Sequence, residues 1–429
     1  MKKLVSGQEM FFISIGFIAS MLHWSLCVVY FAALILYFEQ GTVGCLKGLL
    51  IVTTRGILST AVSSGMTSIV QMEKWALIFL FSFYILYAAK AYYRENMHTK
   101  NLRTYVAIFV IYIVFSSLCT SSYPVVSIFK AIAYAIPFCA IVTGVSVTSY
   151  KADWINYLYN LLTPIIIMCA IAIPFGQLRI VNDSFQGVIN HPNLMGIFGS
   201  IYIGVTLYNL AYGNVRKKNM ARILMALSFY MIYISESRTG MFSAVIMLIV
   251  HFISLDNMSK YKTTIAAIVV VVFAGIYFAN NPELYADISS EVTRFVYKRD
   301  TDDILESRRG QVDASQEKYD AHPILGAGFS VPYEEGVTDY QFSMSLTYEA
   351  GNILIAVLGD CGILGSIIFG GYMLHVLLHT KQRKWVLFFL PIVVSFGEMA
   401  FFATNNIAIY YYLLYGICLT NDEGERNAA

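Results

Sequence analysis

The sequence predicts an all-α polytopic membrane protein with about 12 (12–14) transmembrane helices and one large outer loop. Three observations carry this. Of its 429 residues, 57% are hydrophobic and only 13% charged, where a soluble domain carries about 25% charged residues. Apolar runs close to the roughly 20 residues that a spanning helix needs recur along the chain. Lysine and arginine gather in loops that fall on one side once those runs are threaded through a bilayer.

The expected spans are 10–37, 75–93, 104–120, 125–148, 154–175, 192–212, 220–234, 239–255, 263–279, 350–378, 384–403 and 405–419. The segment 41–63 is interrupted by Lys47 and Arg55. It lies in the interface, re-enters, or spans if 10–37 is a bent hairpin. Met1-Lys2-Lys3 resembles the start of a signal peptide. No small-residue cleavage site follows the apolar run from Met10, so that run reads as a retained first span. The seven cysteines lie almost all in apolar runs without zinc-ligand spacing, and read as small apolar residues.

Four basic clusters set the orientation: Lys90, Arg94, Lys100 and Arg103; Arg216, Lys217, Lys218 and Arg222; Lys260 and Lys262; Lys381, Arg383 and Lys384. All four fall on the side of the N-terminus, which the positive-inside rule makes cytoplasmic, and both termini then face the cytoplasm. The outer side holds 121–124, 176–191, 235–238, 280–349 and 404. Three parts follow: helices over 1–279 (about nine spans), the outer loop 280–349, and the C-terminal helices and short tail 350–429. Within 280–345 thirteen acids against six bases leave a net charge of −7. Residues 303–321 read as an amphipathic helix stopped by His322-Pro323, with a tight turn at Gly326-Ala327-Gly328.

Polar residues collect at four outward places. The first is Gln186-Gly-Val-Ile-Asn190-His191-Pro192-Asn193. It reads as a helix start with Asn190 as cap, or as a cavity lined by Gln186, His191 and Asn193. The second is Ser235-Glu236-Ser237-Arg238-Thr239-Gly240. Arg238 there either snorkels to water or is a functional group at membrane depth. In the third, Arg308 and Arg309 either pair with Asp302, Asp303 and Glu306 or form a fork for phosphate or carboxylate. In the fourth, Tyr348-Glu349-Ala350-Gly351-Asn352, Glu349 complements a helix dipole or acts as a base. Asp360, deeper and flanked by glycines, reads either as a packing partner or as a functional acid. No Rossmann glycine pattern, P-loop or HExxH appears, which argues against nucleotide and zinc enzymes. The polar residues gather at the outer edge and no internal repeat is visible, which argues against a secondary transporter.

Taken in order, Asn190-His191-Pro192-Asn193, Ser237-Arg238-Thr239-Gly240, Ser307-Arg308 ahead of Pro323-Ile-Leu-Gly-Ala-Gly328, and Gly351-Asn352 ahead of Gly362-Ile-Leu-Gly365 resemble the O-antigen ligase and Wzy polymerase superfamily over about 186–380. The resemblance implies a GT-C-like helical bundle in a bacterial plasma membrane. It implies transfer of glycans carried on undecaprenyl diphosphate at the outer leaflet, with no cofactor or metal. It implies roles in substrate binding or catalysis for Arg238 and Arg308, with Arg309, beside Arg308, binding substrate. Ligases of the family carry His-Asn where this chain has Gly351-Asn352, and Val312 stands where a tryptophan is common. Glu349, two residues earlier, then reads as the proton acceptor of a polymerase, with Gln186, His191, Asn193 and Asn352 binding substrate. The expected partners are the lipid-linked oligosaccharide, membrane lipid, a flippase and a chain-length regulator; nucleic acid is not expected. The alternatives are a ligase that moves finished glycan to another acceptor, and a polysaccharide flippase or transporter.

Overall fold

The structure is a computed structural model that describes residues 6–58, 67–90, 96–175, 180–181, 184–213, 215, 217–255, 309–343, 346, 348, 350–404 and 406–420. The expected span 263–279, the loop part 280–308 (with Asp302, Asp303, Glu306 and Arg308), and Glu349 lie outside them.

The N-terminal run folds back on itself. Helix α1 (Gly7–Leu22) starts at Ser6, whose side chain accepts from the Glu9 amide. At His23 the backbone is extended, and its ring caps α2 (Trp24–Ala33), which continues as a 3-10 turn over Leu34–Gln40. Tyr37 donates to Glu9 at 3.1 Å, and a Cβ at Gly16 would lie 2.0 Å from the Tyr30 ring. The two helices are therefore antiparallel and close. Helix α3 (Gly41–Ile57) then runs beside α1: Lys47 pairs with Glu9 at 2.9 Å, and Arg55 donates to the Ser20 hydroxyl at 2.6 Å. Of the alternatives for this region, the structure has 10–37 as a bent hairpin, with 41–57 as a third helix beside it. Lys47 and Arg55, which interrupt the run in the sequence, are buried and satisfied.

The bundle continues with α4 (Ser68–Ala89), α5 (Met97–Thr120), α6 (Pro124–Thr148) and α7 (Trp154–Ala172). A short hairpin, β1 (Ile180–Val181) and β2 (Ser184–Phe185), leads to α8 (Pro192–Tyr212), α9 (Lys218–Ile234) and α10 (Arg238–Ser254). The C-terminal part holds α11 (Arg309–Ala321), α12 (Ile353–Leu378), α13 (Trp385–Gly397) and α14 (Ala408–Leu419). Every residue of α14 is buried, as expected of a helix surrounded by others rather than by lipid. Seven helical stretches among the described residues are long and apolar enough to cross a membrane, with Trp24–Ile57 counted as one. The protein is therefore a polytopic helical membrane protein, although that criterion does not reach the expected number of twelve spans.

Two ends of the bundle are defined by contacts. At one, Asn190 donates to the Ile57 carbonyl, Thr120 to Gly326, and Ser122 to Glu334. At the other, Asn96 donates to the Leu419 carbonyl, Tyr212 to Ser254, and Lys384 to Ile417 and Thr420. The first end carries the residues that the sequence places outside.

Part of the expected outer loop is inserted into the bundle. Helix α12 breaks at Gly362 (φ 63°, ψ −172°), about 13 Å below its start at roughly 1.5 Å per residue. A broken helix at that depth frees backbone groups that lipid cannot satisfy. The segment after α11 satisfies them. Ile363 and Leu364 donate to the carbonyls of Pro323 and Ile324, while Ala327 and Gly328 donate to those of Gly359 and Asp360. Gly326 (φ 83°) is required here, since a Cβ would lie 2.4 Å from the Asp360 carbonyl oxygen. Tyr112 of α5 reaches the Leu325 and Cys361 carbonyls at 3.1 and 2.8 Å.

One ion pair holds this insertion. Lys318 of α11 pairs with Asp360, and both are buried. Lys318 also donates to the Gly328 and Val331 carbonyls at 2.8 Å, and the Ser330 amide donates to the other Asp360 oxygen at 2.8 Å. Asp360 is therefore a packing partner, which decides the question that the sequence leaves open. Lys318, expected among the solvated bases of the loop, is instead in the interior. Loss of one partner from a buried pair costs about 3–5 kcal/mol. Lys318→Met should accordingly lower the yield of monodisperse protein in detergent, and adding Asp360→Asn should recover part of it. Equal yields for the two variants would contradict the assignment.

Candidate functional site

Four helix termini meet around the C-terminal end of α13. Asn352 caps α12, its Oδ1 accepting from the Leu354 amide at 2.8 Å, while its Nδ2 donates to the Phe396 carbonyl at 2.9 Å. A Cβ at Gly397 would lie 2.4 Å from the Thr239 side chain, so α13 ends against the first turn of α10. Glu398, which follows, accepts from Asn193 of α8 at 3.2 Å. Three of the four polar places are thus brought to one small region.

Small residues make this approach possible. A Cβ at Gly240 would stand 2.6 Å from the backbone of Gly196, and Ser200 donates to the Gly240 carbonyl at 2.8 Å. Backbone-to-backbone packing of this kind lets membrane helices cross closely. It sets the first turns of α8 and α10 side by side. Arg238, half-buried, is the first residue of α10, and Ser237 caps that helix by accepting from the Gly240 amide. Glu236 adopts a left-handed φ of 52° and accepts from Ser184 at 3.1 Å. A non-glycine residue in that region marks strain kept at a turn that must be tight.

The remaining expected site residues divide by position. His191 is exposed and is itself the cap of α8, its Nδ1 accepting from the Asn193 amide at 3.1 Å. This corrects the expectation that Asn190 is the cap; Asn190 instead joins its amide to Ile57. Gln186 is buried, and its Oε1 has no hydrogen-bond partner among the described residues. Arg309 is exposed and opens α11, whose next turn sets the Gln311 side chain 2.7 Å from a Cβ built at Gly351. The N-terminus of α11 therefore lies beside Asn352. Arg308 and Glu349 adjoin the described residues Arg309 and Ala350 and lie outside the described set themselves.

The surface near this end has perturbed phenols. Tyr123, which donates to Glu334 at 2.5 Å, has its pKa raised by that bond. Burial pushes up the Tyr348 phenol, with Asp360 adding to the effect, and its hydroxyl meets Ser315 at 2.6 Å. Both are neutral near pH 7 and act as hydrogen-bonding groups.

Glu398 was missed by sequence reasoning. The signal was present: it falls inside the expected span 384–403, where an ionisable residue is a functional candidate by default. Chemically, the region offers arginine, carboxylate and amide side chains at the rim of an apolar bundle. That set suits an anionic lipid-linked sugar.

Residues 223–370, about a third of the chain, match the family model described as O-antigen ligase. The match supports the O-antigen ligase and Wzy superfamily for this segment, which runs from α9 through α12 and contains Arg238, Arg309 and Asn352. Residues 223–370 are thus similar to the O-antigen ligase family, within a chain whose long apolar helices are those of an integral membrane protein. No curated protein matches the chain.

The helix approach is testable through its glycines. Gly240→Ala should cost about 1–3 kcal/mol by overpacking and lower the melting temperature in detergent. Gly371→Ala, where nothing lies within 4 Å of the new Cβ, should leave it unchanged. Equal melting of the two variants would show that the α8–α10 contact is loose.

Proposed function

We propose, taking the superfamily match of residues 223–370 as the premise, that the protein is a polymerase of lipid-linked oligosaccharide repeat units for a capsule, O-antigen or exopolysaccharide. In this reading it moves a growing glycan from undecaprenyl diphosphate to a sugar hydroxyl of the next repeat, at the outer leaflet of a bacterial plasma membrane. The observation that supports it best is the meeting of Asn193, Asn352, Glu398 and the first turn of α10, which carries Arg238, around the end of α13.

The chemistry follows from what the reaction needs. A hydroxyl of the acceptor sugar attacks the anomeric carbon of the donor. The bond from that carbon to the diphosphate oxygen breaks, and undecaprenyl diphosphate leaves with the electron pair. The configuration at the anomeric carbon inverts. Negative charge grows on the diphosphate as the bond breaks, and fixed cations stabilise it most where water is excluded. Arg238, Arg308 and Arg309 supply those cations without a metal. A carboxylate takes the hydroxyl proton, and an ordinary glutamate, with a pKa near ~4.3, is ionised at neutral pH. Glu349 is the first choice from sequence, and Glu398 is the carboxylate that the geometry adds. The unpartnered Gln186 oxygen suits a sugar hydroxyl, since a buried acceptor left unpaired is costly. The lipid tail enters sideways between helices.

The choice of polymerase over ligase rests on Gly351. Glycine there packs against Gln311 and can neither carry a proton nor hold phosphate through a side chain. The two readings share the donor site and differ in the acceptor. A strain lacking the protein should accumulate single repeats on lipid carrier. Full chains stranded on the carrier would instead establish the ligase reading.

Two further outcomes are expected. Arg238→Ala and Arg309→Ala should abolish or strongly reduce polymer at normal membrane levels, with lysine rescuing poorly because a point charge does not reproduce the guanidinium fork. Full polymer in both alanine variants would remove the arginines from the mechanism. For orientation, cysteines placed singly in a cysteine-free background at Glu335 and Lys217, both exposed, should react differently in intact cells. An impermeant reagent should modify position 335 and spare 217; labelling at 217 would overturn the topology.

A further inference from the structure

Three histidines meet at the end of the bundle away from the candidate site. His98 is in the first turn of α5; His375 is in the last turn of α12, and His379 is the C-cap of that helix. They are far apart in sequence, and none belongs to the superfamily motifs. Their candidate ligand atoms all lie within 4.8 Å of one another. The ring centroids of His98 and His379 are 3.9 Å apart, and those of His375 and His379 are 4.4 Å apart.

The hydrogen bonds around them fix which nitrogens are available. His375 Nε2 faces the His98 carbonyl at 2.9 Å, and His379 Nδ1 faces the His375 carbonyl at 2.8 Å. A carbonyl only accepts, so each of those nitrogens carries the hydrogen. In the neutral ring the lone pair is then on the other nitrogen, Nδ1 of His375 and Nε2 of His379. Metal-ligating histidines are held in this way: one ring nitrogen donates to a carbonyl and the other binds the ion. His375 and His379 are also spaced i, i+4, which puts two imidazoles on one helix face as in zinc-binding helices.

We propose that His98, His375 and His379 form a binding site for a divalent transition metal of the zinc class, joining α5 to α12. Three neutral imidazoles suit zinc, copper and nickel better than magnesium or calcium. Three protein ligands leave a fourth position for water. The location gives the ion a structural consequence. Helices α5 and α12 both grip the inserted loop, through Tyr112 and Thr120 on one and the Gly362 break on the other. An ion between His98 and His379 holds the far ends of that same pair.

The test uses the full-length protein, purified in detergent with an affinity tag that contains no histidine. After treatment with chelator and dialysis against zinc, metal content is read by mass spectrometry. About one zinc per chain is expected for a three-histidine site with water as the fourth ligand. His379→Ala, exposed and at the helix end, should weaken binding by at least the roughly 10–100-fold that loss of an outer-shell partner costs. His23→Ala, at the other end of the bundle, should bind as the parent does. Zinc should also raise the melting temperature of the parent and of His23→Ala but not of His379→Ala, which keeps the assignment testable without activity. Cobalt in place of zinc should give the strong visible absorption of a four-coordinate site. Parent protein that takes up no more zinc than His379→Ala, or that melts at one temperature with and without zinc, would reduce the cluster to stacked, hydrogen-bonded imidazoles and overturn the proposal.

Discussion

A membrane helix cannot break without new partners for its backbone, and α12 breaks at Gly362. The freed groups are taken up by residues 323–328, which donate to the carbonyls of Gly359 and Asp360 and accept from the amides of Ile363 and Leu364. This arrangement needs the inserted loop to stay in place, and Lys318 keeps it there by pairing with Asp360 and filling two loop carbonyls. The charges sit in the interior because each is surrounded by hydrogen-bonding groups. The position of α11, and with it that of Arg309, follows from this one constraint.

A second constraint acts on the neighbouring helices. Gly196 and Gly240 let α8 and α10 touch backbone to backbone, and Gly397 lets α13 end against Thr239. The end of α13 thereby gathers three segments separated widely in sequence. An arginine at the first position of a helix at this rim, with amides and a carboxylate from three other segments, is well suited to an anionic carrier and poorly suited to a passive scaffold. This is how fold and chemistry are connected here: tight glycine contacts fix where the polar side chains stand, and their low-dielectric surroundings strengthen what the cations do.

Much of this was legible in the sequence. Apolar length and the placement of lysine and arginine give the helices and the shared side of the polar motifs, because those features act one segment at a time. The features that depend on how segments meet were not legible. The hairpin at His23 lies in continuous apolar sequence, which leaves it one alternative among several until the α1–α3 contacts are seen. Lys318 reads as one more base in an acidic loop, and its burial follows only from Asp360, 42 residues away. Glu398 was hidden by a span drawn a few residues too long. His98 and His375 are 277 residues apart, a separation at which spacing carries no information. The start of α12 is legible because a polar run ahead of an apolar one is a local signal, while the cap role of Asn352 comes from the structure.

The central claim is that repeat units are joined to one another at this rim. Purified protein in nanodiscs, supplied only with lipid-linked repeat units and no other acceptor, tests it most directly. The account predicts a ladder of products that grows by one repeat at a time, with release of undecaprenyl diphosphate. A protein that leaves the repeats unjoined under those conditions, yet transfers glycan once a separate acceptor is added, would contradict it.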